Sequence, residues 1–103
     1  MLAALSFPQV LSAEGFTGTE FLTWSETAQA AFFQNSVLMA STISSRLEET
    51  HATCVSDWYF GEAVDRGARN QEVLETIRQY PEFHPSAVVL AVIERECGQY
   101  GRD

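Results

Sequence analysis

The chain contains no lysine. Six arginines stand against fourteen carboxylates, giving a formal net charge of −8. The arginines (Arg46, Arg66, Arg69, Arg78, Arg95 and Arg102) form no basic cluster. Nothing here neutralises a run of phosphates, so a nucleic-acid partner is not expected, and an anionic membrane surface is disfavoured for the same reason. Cysteine is scarce, with Cys54 and Cys97 alone, and so is histidine, with His51 and His84. Proline occurs three times, and neither proline nor glycine interrupts Phe21 to Thr50. No glycine-rich phosphate loop, GxGxxG, HExxH or nucleophile elbow is present, nor any repeat or low-complexity tract. The sequence therefore predicts neither an enzyme nor a cofactor. What is there is 103 residues, 46% hydrophobic and 19% charged. That composition fits one globular domain with a small core.

The first thirteen residues, "MLAALSFPQVLSA", are uncharged and mostly apolar. They resemble the apolar region and small-residue cleavage site of a secretory signal, without its basic start. The run is too short to span a bilayer, and it contains Pro8. Residues 1–13 are read as a truncated export signal and 14–103 as the domain. Removing the segment leaves the net charge unchanged.

In "GFTGTEFLTW", Thr17 and Glu20 fit a capping box, and Phe16 and Phe21 fit the hydrophobic staple, so a helix should start near Gly18. Phe21, Trp24, Ala28, Phe32, Asn35, Met39, Ile43 and Leu47 then recur at helical spacing and read as core. Either one long helix runs through, or "WSETAQ" breaks it and Ser25 caps a second. The serine-rich "STISSR" is weak in helix propensity. "CVSDWYFGEAVDRGARN" is the least regular stretch, with Ser56 or Asp57 able to cap a short turn. Asn70 reads as the cap of "QEVLETIRQY", which Pro81 ends. His84 and Pro85 stand at the cap and first position of a last helix. Its Ala87–Ile93 run is apolar on every side, and Gly98 stops it. The expected fold is all-α: a small single-domain bundle of about four helices with one disulfide.

His51 and Cys54 are three residues apart and share a helix face. Three chemistries compete for them. In an exported chain, two cysteines most often form a disulfide, and bridging Cys54 to Cys97 closes a long loop. A metal site would draw on His51, Cys54, His84 and Cys97. However, His84 and Cys97 are separated by about 20 Å along an ideal helix, so no metal is expected. A Cys54 thiolate activated by His51 is possible in geometry but has no supporting motif. His51 alone reads as a solvated residue at a helix end. Asp57, Trp58 and Tyr59 are the candidate partner-binding residues, because consecutive aromatics cannot all face one side, and Trp and Tyr are enriched at binding hot spots.

"FTGTEFLTWSE" resembles the "TGNxLLxxC" opening of the Rap1a/Tai family of secreted immunity proteins. "AFFQNSVLMASTI" is similar to that family's second helix, and "RNQEVLETIRQYPEFHPSAVVLAVIERECG" to its ending. The resemblance implies a helical protein that shields a bacterium from its own type VI effectors. Cys54 and Cys97 match the family's second cysteine pair. Ser25 and Phe33 stand near where the first pair would be, and the glycine-rich middle of the second helix is "QNSVLMAS". A second likeness, of architecture only, is to HdeA-type periplasmic acid chaperones. For that function the relevant property is the swing from −8 to about +8 once every carboxylate is protonated (six Arg plus two His).

The expectation is therefore a periplasmic or secreted, non-enzymatic protein-binding module of immunity or inhibitor type. An acid-stress chaperone is the alternative. The partner would be a protein such as a toxin or effector, and a homodimer is compatible.

Overall fold

Helix boundaries follow local chemistry in most places. A computed structural model describes residues 15–99, so the expected export segment, 1–13, lies outside the described residues. Five helices appear in the order α1 (Gly18–Phe21), α2 (Glu26–Leu47), α3 (Glu49–Phe60), α4 (Arg66–Gln79) and α5 (Pro85–Cys97). Among the described residues there is no strand, so the fold is an all-α bundle. Among the described residues no helix is long and apolar enough to cross a membrane.

The break at "WSETAQ" is real: the Ser25 hydroxyl accepts from the Ala28 N–H at 3.1 Å and starts α2. "STISSR" stays helical to Leu47. A single extended residue, Glu48 (φ −158°, ψ 116°), then reverses the chain into α3. The stretch after Cys54 continues α3 unbroken to Phe60, so neither Ser56 nor Asp57 caps a turn. α4 starts earlier than Asn70, because Asp65 accepts from the Ala68 N–H at 3.2 Å. Asn70 instead takes the Tyr59 hydroxyl hydrogen at 2.6 Å. At α5 the reading holds: the His84 ring accepts from the Ser86 N–H at 3.0 Å, and Pro85 opens the helix. Gly98, at φ 93°, closes it in a region costly for any side chain.

The capping box at α1 does not form, since the Thr17 side chain makes no cap bond. Two of α1's first N–H groups are satisfied from the far end of the chain: Gly18 donates to the Phe83 carbonyl (2.9 Å) and Thr19 to the Pro81 carbonyl (3.0 Å). The approach is close enough that a Cβ on Gly18 would meet Ile77 Cγ2 at 2.9 Å and the Pro81 backbone at 3.1 Å. Alanine is the better helix former by about 1 kcal/mol, yet Gly18→Ala should destabilise by about 1–3 kcal/mol through overpacking. A urea midpoint equal to or above that of the parent protein would show that the loop yields.

α5 is central. It packs on α2, α3 and α4, and buries Ala87, Val88, Val89, Ala91, Val92 and Ile93. α2 and α3 form an antiparallel hairpin beside it. The core face of α2 is Gln29, Phe33, Val37, Ala40 and Ser44. That is one residue, about 100° of helix rotation, away from the expected stripe. Met39 (60% exposed), Ile43 (46%) and Leu47 (60%) of that stripe face outward instead. Small Ala40 and Ser44 let α3 approach closely, and the larger side chains of the next stripe do not fit between them. Around the core lie solvent-facing ion pairs, of which Glu72 with Arg69 (3.4 Å) and Arg95 (3.1 Å) links α4 to α5. Exposed pairs of this kind are worth little.

Candidate functional site

Rotating α2 by one residue turns its apolar stripe into surface. Beside α5 that surface forms a groove of about 590 Å³. Phe32, Asn35, Ser36, Met39, Ala40, Ile43 and Leu47 line it from α2, and Ser86, Val89, Leu90 and Ile93 from α5. No lining side chain is ionisable. The polar ones, Asn35, Ser36 and Ser86, come from the early turns of the two helices. The later turns contribute only apolar walls. Leu38, 54% exposed, adds to the α2 rim. Contiguous apolar surface of this kind marks docking sites on soluble domains.

Both ends of the groove are fixed by contacts outside it. At one end Phe16 stacks on Trp24 (centroids 5.1 Å) and meets Phe21 (6.3 Å), Phe32 (6.4 Å) and the His84 ring (5.2 Å). The staple pair is thus part of a larger aromatic cluster. At the other end buried His51 lies between α2 and the end of α5. Its Nδ1 is 2.9 Å from Ser44 Oγ, and its Nε2 is 2.7 Å from the Gly98 carbonyl. The carbonyl can only accept, so Nε2 carries a proton. His51 is therefore an internal tie and not a solvated helix-end residue. Along the groove, α2 and α5 run the same way, from the Phe16 end to the His51 end.

The Cys54–Cys97 disulfide closes beside His51, with Cα atoms 5.8 Å apart. There is no free cysteine, so Cys54 presents no thiolate to His51 in this state. Among the described residues no group of three His, Cys, Asp or Glu side chains is placed to hold a metal ion.

The aromatic pair expected to anchor a partner is placed elsewhere. Trp58 (7% exposed) and Tyr59 (1%) belong to the core, and of the three candidates only Asp57 faces solvent. The helix simply continues past Asp57, and this turns both rings inward. Arg69 secures Trp58: its Nε donates to the Trp58 carbonyl at 2.7 Å, and its guanidinium lies 5.3 Å from the Trp58 ring centre. The Trp58 indole N–H is buried without a hydrogen-bond partner among the described residues.

Tyr59 carries a pH signature. Burial pushes its phenol above the usual tyrosine range, and the nearby Arg66 cation opposes part of that rise. The raised folded value means that the native state holds this proton more tightly than the unfolded chain does. Its contribution to stability is therefore complete below about pH 10 and is lost as pH rises through the folded value. In a spectrophotometric titration Tyr59→Phe should remove the highest-pH tyrosinate step. Loss of a lower step instead would place Tyr59 in water.

The fold and the groove define a class: an all-α, disulfide-closed domain with an exposed apolar groove. No known family model, curated protein or solved structure matches the chain.

Proposed function

We propose that the protein is an exported, non-enzymatic protein-binding module of the immunity or inhibitor type, and that it binds through the α2–α5 groove. The observation that carries this reading is the run of Met39, Ile43 and Leu47, held outward along one edge of an uncharged hollow. An intrachain disulfide is compatible with an oxidising, extracytoplasmic site. The resemblance to Rap1a/Tai proteins points to the same class.

The occupant is a partner protein that presents an apolar helix or ridge with basic residues at its flanks. The ridge fills the groove by the helix-in-groove mode. The basic flanks follow from charge complementarity: at −8 the domain attracts a cationic partner and speeds encounter, more so at low salt. The binding surface expected at Trp58 and Tyr59 moves to Met39, Ile43 and Leu47, and Asp57, exposed on α3, is not among the groove's lining residues.

Ile43→Asp tests this. It places a carboxylate inside the docking surface at a residue already 46% exposed, so the fold tolerates it. Affinity for a purified partner, first captured from native extracytoplasmic extract, should fall at least ~30-fold, the effect of losing a binding hot spot worth about 2 kcal/mol. The thermal midpoint should stay within a few degrees of that of the parent protein. Unchanged affinity with an intact fold would sink the groove as the binding surface.

A further inference from the structure

We infer that Met39 is an oxidation site that controls the α2–α5 groove: a peroxide converts its thioether to the sulfoxide, and the sulfoxide form gives up the docking surface. The consequence rests on the docking reading above; the chemistry does not. Three observations carry the inference.

The first is the sulfur inventory. The chain holds two cysteines and two methionines. Both cysteines are taken up in the Cys54–Cys97 bridge, and no thiol is free to react first. Met1 lies outside the described residues. Among the described residues Met39 is therefore the one sulfur still open to oxidation. The second is access. Met39 is 60% exposed and lines the groove, so an oxidant reaches it without any opening of the fold. It also lies off the core face of α2, and a change in its polarity leaves Phe33, Val37 and Ala40 packed as they are. The third is the setting. Helical side chains lean toward the N-terminus of their helix, so Met39 lies over Ser36 and Asn35, three and four residues earlier. Those two are polar members of the groove lining. In the other direction stand Ile43 and Leu47, which have no hydrogen to donate.

The step transfers one oxygen atom. The sulfur lone pair attacks the peroxide, the O–O bond breaks, an S–O bond forms, and water leaves with both peroxide hydrogens. Sulfur loses two electrons and the peroxide gains them. The product is polar, and its oxygen is a hydrogen-bond acceptor. In the free domain Asn35, Ser36 and water supply donors for it. The apolar ridge of a partner supplies none. Docking must then bury the sulfoxide unpaired, or leave Met39 turned back toward Asn35 with its share of the contact empty. Methionine sulfoxide reductases undo the change, so the oxidised state is reversible.

The test uses the full chain and hydrogen peroxide, beside a Met39→Leu variant. Fragment-ion mass spectrometry should place one added oxygen on Met39, at a rate within about threefold of free methionine in the same tube. The thermal midpoint should not move. Nile red, a neutral apolar dye, reads the groove without a partner. Its dissociation constant should rise at least ~fivefold on oxidation of the parent chain and stay constant in peroxide-treated Met39→Leu. Reductase treatment should restore it. Affinity for the captured partner should fall about tenfold in the same sulfoxide form. Met39 left unmodified while free methionine is consumed overturns the inference. So does unchanged dye affinity in fully oxidised protein, or an equal loss in Met39→Leu, which places the effect at another residue. The two readings fail separately. Partner affinity lost in Ile43→Asp but kept by the sulfoxide form leaves the docking surface standing and removes the switch. Dye binding lost on oxidation, with partner affinity indifferent to Ile43→Asp, keeps the switch on the groove and removes the docking reading.

Discussion

Replacing Cys54 and Cys97 together with serine should cost about 4 kcal/mol of stability. The bond joins residues 43 apart. In the chain-entropy account, releasing a loop of that length restores about 4 kcal/mol of conformational freedom to the unfolded state. Domains of this size are stable by about 5–15 kcal/mol in total, so the loss is a large fraction. The thermal midpoint should fall by roughly 15–30 °C. The native contacts around the bridge remain in the variant, since His51 still reaches the Gly98 carbonyl and α5 still packs on α3. The helical circular-dichroism signal at low temperature should therefore be preserved while the transition moves. A midpoint within about 5 °C of the oxidised protein would mean that the unfolded chain keeps these helices together without the bond.

Phe21→Ala should be of the same size, about 3–5 kcal/mol, for a different reason. Phe21 is fully buried although it sits on a helix of four residues. A helix that short has no stability of its own. It stays in place through two backbone hydrogen bonds to the Pro81–Phe83 turn and through this ring, which touches Trp24, Phe32 and Phe33 at centroid distances of 5.0–5.3 Å. Truncation leaves a hollow that neighbouring rings cannot collapse into, because each is held by others in the cluster. The urea midpoint should drop with the slope unchanged, the sign of lost stability without altered compactness. A cost below about 1 kcal/mol would show that α1 does not dock.

Where local chemistry decides, the sequence was legible. His84–Pro85, Pro81 and Gly98 each act on neighbours within four residues, so their roles read correctly, and of the two readings left open at "WSETAQ" the break capped by Ser25 is the one that forms. Thr17 failed because the groups that satisfy α1 arrive from Pro81 and Phe83, more than sixty residues away. Asn70 failed because Asp65, with equal capping chemistry, lies one turn earlier. The face of α2 was the larger error. Two stripes one residue apart are both apolar enough to be core, and periodicity alone cannot choose between them. The choice came from the requirement that α3 pass close, which favours Ala40 and Ser44. The groove was thus present in the sequence as Met39, Ile43 and Leu47, but assigned to the wrong side. His51 gave no signal at all, because burial of a histidine depends on two acceptor or donor groups, Ser44 and Gly98, that only the fold assembles. Trp58 and Tyr59 were misplaced by expecting a loop where α3 simply continues.

The bridge has a mechanical meaning as well. From Cys54 to Cys97 the chain is a closed covalent ring holding the end of α3 and all of α4 and α5, while α1, α2 and the first turn of α3 form an arm laid across it. Phe33 and Val37 on that arm complete the core, so the arm is the latch of the domain. Tension applied through the two ends peels the arm and then stops at the ring. Roughly 150 Å of contour, 43 residues at about 3.5 Å each, stays out of reach of the force until the sulfur–sulfur bond is reduced.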